Sequence, residues 1–405
     1  MQIRHLRGIT TLAFILIPLT AGAAAADRAL YERKCGRCHV AYDPGDFAAD
    51  EWPGILLSMR AKAALTPEEQ QTLLDWLGEE GGGERPGTSG PKVGGYLYTE
   101  YFETEEKSEN YDLHYLAVSL SGRAAENIAY VGEFELEHGG RGDDVFVEQA
   151  YLDYWFLPNA ALKIGAILTP FNRFDEFHDP LANYTITRPQ SASAIGVSAW
   201  KEAGADLHGY FNAGPDASIG FDLYTVNGLG AGGNLRGSRQ YRDNNEDKAF
   251  GGRVNVMFRD LLEVGGSAYH GAWDDEGELD LDLFGGHLLL RTPFVEIYGE
   301  YADGRSENPA GTPDGEMSGF FIQASRLIAS RCRPTIRYGE IDYLDTGAAL
   351  GREPADTDRK ELGVTFAIYP TPRVVFKAEA TFFVEGERET DVDDDQVGLQ
   401  AAIRF

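Results

Sequence analysis

The sequence predicts two unlike parts: a small all-α domain at the N-terminus, then an all-β transmembrane barrel of about 16 antiparallel strands. Three observations carry that prediction. From Val93 to Phe405 apolar and polar residues alternate with period two. Along the same stretch tight turns alternate with long, mostly acidic loops. Ahead of it, helix-like segments flank one compact motif, Cys35-Gly36-Arg37-Cys38-His39.

The chain has 405 residues, and the first 26 read as a secretory signal peptide. Arg4 and Arg7 form its positive end, Leu12 to Leu19 its short apolar run, and Ala23 to Ala26 the small residues before a cut at Asp27. An uncleaved anchor is the alternative, but the apolar run is short of the ~20 residues a spanning helix needs. Nothing later in the chain approaches that length, so any membrane crossing must use strands. Gly 48, Tyr 20 and Phe 22 against 4 Met and 3 Cys is a β-rich, turn-rich composition. The net charge of −29 excludes nucleic acid as a partner, because phosphate binding needs a basic surface.

The C-x-x-C-H motif fits covalent attachment of one c-type haem. Two thiols, Cys35 and Cys38, add to the haem vinyl groups, and the adjoining His39 becomes the proximal iron ligand. A thioredoxin-like pair would sit beside a βαβ pattern, and a zinc site would need a second Cys/His pair nearby; neither is present in the sequence. Between Asp27 and Gly78 the one other soft ligand is Met59, a candidate for the opposite face of the iron; its bland reading is apolar packing. Ala29 to Lys34 suits a short first helix. In "LTPEEQQTLLDWL", Thr66 as N-cap, Pro67 at the first helical position and Glu69 two residues on form a capping box before an amphipathic last helix. Tyr42, Trp52 and Trp76 are expected to pack the haem edge or the core.

Residues 27–80 resemble the cytochrome c family on these grounds. The short interval from His39 to Met59 departs from longer members and is closer to small haem domains with a tryptophan, then a methionine, before the last helix. After it, "GEEGGGERPGTSGPK" has no periodicity and predicts a flexible linker, residues 81–92. A coil of about 15 residues spans roughly 20 Å. That is comparable to the apolar belt of about 25 Å around an outer-membrane barrel.

In the barrel region, residues 93–405, the last strands are clearest. Val397, Leu399, Ala401, Ile403 and Phe405 share one face and Gln396, Gln400 and Arg404 the other. Val374, Phe376, Ala378, Ala380, Phe382 and Val384 alternate with Arg373, Lys377, Glu379, Thr381 and Glu385; Leu362, Val364, Phe366 and Ile368 alternate with Glu361 and Thr365. A soluble sandwich alternates in the same way. Segments of about 10–13 residues and the turn–loop alternation favour a membrane barrel. Short turns are expected near Gly122, Pro158, Pro215, Asp260, Pro293, Ser330 and Pro370, and long loops near Glu105, Gly140, 170–200, 230–245, 274–278, 304–314, 345–356 and 386–393. Both ends then fall on the short-turn side, the periplasmic side of such barrels. The segments near residues 160, 204 and 332 are the weakest.

"VEQAYLDYWFLPNAALKIGAILTPFNRFDEFHDPLANYTITRP" resembles the phosphate-selective-porin-like group, and Phe405 resembles the C-terminal aromatic signature of outer-membrane proteins. The first resemblance implies that the loop after Gly165 folds into the lumen. No basic ladder is visible, so anion selectivity is not carried over. Within that loop Asp175, Glu176, His178 and Asp179 could hold Fe(II) or another divalent ion; an ordinary polar constriction is the competing reading. The acidic run Asp391, Asp393, Asp394 and Asp395 reads as a solvated loop tip. Cys332 is an unpaired structural residue once Cys35 and Cys38 hold haem.

The whole chain resembles outer-membrane cytochrome–porin fusions, a group containing proposed iron oxidases. The resemblance implies electron transfer across the outer membrane between an extracellular donor, Fe(II) among the candidates, and a periplasmic carrier such as a soluble cytochrome. Two other classes stay open. One is a diffusion porin whose haem domain is a gate, sensor or tether. The other is a soluble periplasmic haem enzyme, for which no nucleophile–base arrangement or cofactor fingerprint is visible.

Overall fold

The computed structural model describes residues 22–35, 44, 52, 56, 65, 67–80, 91–104, 110–125, 127–139, 145–174, 179–197, 199–214, 216–230, 235–259, 261–311, 313–329, 331–345, 355–386 and 394–405. Two helices precede the strands, α1 (Gly22–Cys35) and α2 (Pro67–Glu80). The second starts at the expected proline; Thr66 lies outside the described residues. Helix α1 begins upstream of the expected cut at Asp27.

Sixteen strands follow: β1 (Lys92–Thr104), β2 (Asn110–Ala125), β3 (Ile128–Glu137), β4 (Val145–Leu157), β5 (Ala160–Leu168), β6 (Lys201–Asn212), β7 (Ala217–Val226), β8 (Ala249–Phe258), β9 (Leu262–Ala272), β10 (Asp280–Arg291), β11 (Glu296–Ser306), β12 (Gly315–Ser325), β13 (Cys332–Asp345), β14 (Ala355–Thr371), β15 (Val374–Glu385) and β16 (Gln396–Arg404). Each pairs antiparallel with its sequence neighbours, and β1 pairs with β16 to close the barrel. The seam is tied at the chain's end, where Gly95 N–H donates to the Phe405 carbonyl (3.0 Å) and Phe405 N–H to the Gly95 carbonyl (2.9 Å). Closure leaves no unpaired edge, the condition for strands to cross hydrocarbon.

The strand number and the alternation of turns and loops agree with the sequence reading. Strand lengths are more varied than expected, from 9 residues in β5 and β16 to 17 in β14. The long strands continue their ladder beyond the apolar belt, as where Asp345 pairs with Ala355 through to Glu340 with Lys360. The weak segments near 160, 204 and 332 are complete strands. Glycines explain the weak signal in two of them. Gly165 on β5 faces Gly204 on β6, and a Cβ at either would meet a neighbouring carbonyl at 2.2 Å. Gly165 also has φ +139°, which favours glycine.

The two faces differ as a membrane barrel requires. Phe284, Ile322, Ile336, Val364, Phe366, Phe376, Phe382 and Val384 point outward and are exposed. Their neighbours point inward and are buried, charged groups included: Glu263, Glu300, Arg337, Glu361, Lys377 and Glu379. Burial there comes from the β5–β6 connection, which fills much of the lumen.

Candidate functional site

Two features of the chain can carry chemistry: the segment holding the C-x-x-C-H motif and the packed barrel interior. In the first, α1 and α2 present apolar residues to a shared core of Leu30, Tyr31, Trp52, Leu56, Leu65, Leu73, Trp76 and Leu77. Helix periodicity explains the choice in α2, since Leu73, Trp76 and Leu77 recur at three- and four-residue spacing. Tyr31 is central. Its ring meets Trp52 edge-on at 5.8 Å and Trp76 at 5.4 Å. The Trp52 indole N–H donates to the Pro44 carbonyl (3.1 Å), which satisfies its polar atom on burial. Lys34 and Glu69 join the helices by an ion pair of 2.8 Å.

Cys35 is the last residue of α1 and packs against this core, half-buried. A thiol at a helix end beside an apolar, aromatic-rich core fits one edge of a covalently bound haem. Cys38, His39 and Met59 lie outside the described residues. Trp52 and Trp76 have the packing role expected of them. When bound, haem supplies a one-electron redox centre.

In the barrel, residues 169–200 leave β5, cross the lumen and return to β6. Their path is set by polar anchors on the wall. Glu300 on β11 accepts from Arg173 N–H (2.8 Å) and Phe174 N–H (2.7 Å). Glu379 on β15 accepts from Ile186 N–H (2.7 Å), Thr187 N–H (2.9 Å) and the Thr187 hydroxyl, with the Thr365 hydroxyl at 2.6 Å from its own wall. Arg337 on β13, 0% exposed, donates to the Thr185 hydroxyl (2.9 Å), the Thr187 carbonyl (2.8 Å) and the Thr187 hydroxyl (2.7 Å), and stands 3.4 Å from Glu361. Lys377 donates to the Thr185 carbonyl at 3.0 Å. A short helix, α3 (Gln190–Ala194), ends the crossing and packs on β11, β12 and β13. Each anchor satisfies a backbone group that would otherwise be buried unpaired.

The resemblance-based expectation of a lumen loop therefore agrees with the structure. Toward the loop side it is sealed by Phe171, Ile195, Val197 and Trp200 against Tyr224, Tyr269 and Trp273. Toward the short-turn side Leu181 packs with Tyr96, Tyr98, Tyr115 and Tyr369. Cations of the interior face carboxylates: Arg173 of the loop with Glu263 (3.1 Å), and on the wall Arg253 with Asp222 (2.9 Å) and Lys163 with Asp206 (3.6 Å), so the interior is mixed in charge.

Of the expected loop cation site, Asp175, Glu176 and His178 lie outside the described residues. Asp179 pairs with Arg404 of β16 and accepts from Leu181 N–H at 2.8 Å, which turns the chain. A different group was missed from sequence: Asp112 and His114 on β2 with His138 just after β3. Its one legible sign is the Asp-x-His spacing at the start of a strand, which puts two ligand types on one face.

Residues 31–107 match the family model described as Dihaem cytochrome c. The match spans the C-x-x-C-H motif and runs past the linker through the whole of β1. The family's description names two haems, whereas Cys35, Cys38 and Cys332 are this chain's cysteines and form one such motif. An uncharacterized protein of Aquifex aeolicus (strain VF5) is 26% identical over 331 residues, 72% of this chain and 75% of that protein. Among solved structures, the loop L8 deletion mutant of OmpT, an outer membrane protein of Vibrio cholerae, superposes with a TM-score of 0.56 at 13% identity, covering 78% of this chain and 99% of that one. The outer membrane channel DcaP of Acinetobacter baumannii gives 0.53 at 11% identity, covering 78% and 97%. The class these define is a closed porin-like barrel. In this chain that barrel of 16 antiparallel strands is preceded by a segment matching a haem c family.

Proposed function

We propose that this chain is an outer-membrane haem protein that passes electrons between an extracellular donor, Fe(II) among the candidates, and a periplasmic carrier such as a soluble cytochrome. The observation that carries the reading is the joining of a haem-family segment to a closed barrel with an apolar exterior. Hydrocarbon does not conduct electrons, and a periplasmic carrier cannot cross it; a redox centre attached to a membrane barrel answers both limits. The lumen loop supports it too, because its anchoring on β11, β13 and β15 places part of the chain across the path of a bulk solute.

In this reading Cys35 and Cys38 attach one haem c, His39 is its proximal ligand and Met59 its distal one. Methionine opposite histidine raises the haem potential, which suits a carrier accepting electrons from a weak donor. The chain enters the barrel through Lys92 on the short-turn side, and in outer-membrane barrels that side is periplasmic. The residues before it, 1–26, serve as the export signal, and lipid is the barrel's surrounding partner.

A second reading, a diffusion porin with a haem appendage, is favoured by the barrel's likeness to an outer membrane channel. Sealed proteoliposomes with the protein in one orientation separate the two. An impermeant reductant is added on the loop side, haem absorbance is followed, and an acceptor is trapped inside. Acceptor reduction that disappears in Cys35→Ala/Cys38→Ala supports electron transfer. Solute leakage with no haem reduction sinks it in favour of the porin.

A further inference from the structure

We propose that Asp112, His114 and His138, with Glu100 supporting His114, form a binding site for a divalent first-row metal ion of the Mn(II), Fe(II) or Zn(II) kind at the long-loop rim of the barrel. One ligand atom from each of Asp112, His114 and His138 lies within 4.8 Å of the other two. His138 Nδ1 is 2.7 Å from Asp112 Oδ2, and His114 Nδ1 is 3.3 Å from the same oxygen and 3.0 Å from Glu100 Oε2. Ligands about 2.1 Å from a shared ion stand roughly 3–3.5 Å apart in octahedral or tetrahedral arrangements. The two spacings to Asp112 need a shift of a few tenths of an ångström to admit one.

The backbone builds the cluster. Tyr98 of β1 pairs with Tyr115, but Glu100, two residues on, pairs with Asp112, three residues back, so β2 carries an extra residue there. Asp112 and His114 share a strand face, and the bulge between Asp112 and Tyr115 sets that face beside Glu100. His138 reaches them from the turn after β3, where its N–H donates to the His114 carbonyl (3.2 Å). Two contacts hold the set in place without using its ligand atoms. The His114 ring stacks on Tyr98, with centroids 5.3 Å apart and planes at 16°. Gln400 donates to Glu100 Oε1 at 2.7 Å, which holds Glu100 with its Oε2 toward His114. Supporting hydrogen bonds of this type orient ligands in metal sites.

Charge points the same way. Among the described residues, the ion-pair partners of Glu100 and Asp112 are the two imidazoles, and Lys377 adds a longer-range positive charge near Glu100. Asp112 brings a carboxylate oxygen and the two histidines ring nitrogens, and the Glu100 carboxylate beside them adds negative charge that a divalent ion balances. Mixed nitrogen and oxygen donors suit Mn(II), Fe(II) and Zn(II) over Mg(II) or Ca(II), which prefer oxygen alone. The site rests on and deepens the electron-transfer reading through Fe(II), the member of this class that can give up one electron and become Fe(III); Zn(II) would only occupy it. It is tested without haem reduction, so uptake with no electron transfer would sink that reading alone.

The test is titration of the full-length haem-loaded protein in detergent with Mn(II), with the free-ion EPR signal as readout. One Mn(II) per chain is expected, displaced by Zn(II). His138→Ala and Asp112→Asn should each weaken uptake about 10-fold or more, while Glu276→Gln on another loop leaves it unchanged. His138 has half of its side chain in solvent, so its variant should retain the fold, and Asp112→Asn keeps the side chain's shape. Absent uptake by the unaltered protein, or uptake equal in both site variants, overturns the proposal.

Discussion

Replacing Arg337 with alanine should release the lumen loop without opening the barrel. The guanidinium is buried, makes three hydrogen bonds to Thr185 and Thr187, and faces Glu361 at 3.4 Å. Removing one partner of such a buried, charged set costs about 3–5 kcal/mol, because the carboxylates left behind stay desolvated. The strand ladder is untouched, since Gln323–Arg337 and Arg337–Gly363 pair through the backbone. The cost therefore falls on docking of residues 184–188. At tenfold per 1.4 kcal/mol, the undocked population rises on the order of 10²–10³-fold. The Ile186 and Thr187 amides, bound to Glu379, report it directly through hydrogen exchange in detergent or lipid. Exchange at those two amides should accelerate by that factor, while the strand amides of β13 hold their rates. Arg337→Lys should lie between, because an ammonium keeps the charge but loses the planar fork. Single-channel current should rise in parallel. Exchange within about threefold of the unaltered protein would mean that these bonds do not anchor the loop.

Three other outcomes follow from the same geometry. The purified protein should carry one covalent haem per chain by mass and by haemochrome assay, and none in Cys35→Ala/Cys38→Ala; two haems would refute the assigned count. Trp52→Ala removes a side chain that is 2% exposed and packed edge-on to Tyr31. At about 3–5 kcal/mol that loss rivals the whole stability of a small domain, about 5–15 kcal/mol, so helical signal should melt early while the barrel's strand signal persists. Phe284→Arg, outward near the middle of β10, should cost about 2–4 kcal/mol of folding stability in lipid vesicles. No cost there would mean that this face does not meet hydrocarbon.

The barrel was legible because alternation answers a local question, namely which face a residue takes. Val364, Phe366, Phe376 and Phe382 could be sent outward, and Glu361, Lys377 and Glu379 inward, from sequence alone, and the structure puts them there. Turn chemistry and the order of short and long connections then gave the strand number. Glycines blurred β5 and β6, because Gly165 and Gly204 are chosen for close backbone approach and carry no face signal. What alternation does not encode is who stands beside whom. His114 and His138 are separated by the whole of the β2–β3 hairpin, and they meet because the register sets Tyr115 opposite Glu137. Glu100 joins them through a bulge that period-two counting places nowhere in particular. Glu379 and Thr187 lie 192 residues apart, and their contact depends on how one loop crosses a closed cylinder. Sequence reading therefore looked for the cation site where ligand types cluster along the chain, at 175–179. Asp179 of that run pairs with Arg404 while its other three members lie outside the described residues, and the structure adds a second candidate group from β2 and the turn after β3 at the rim. In a barrel the chemistry is arranged around the circumference, and circumferential neighbours are fixed by shear and pairing, which a one-dimensional pattern carries only weakly.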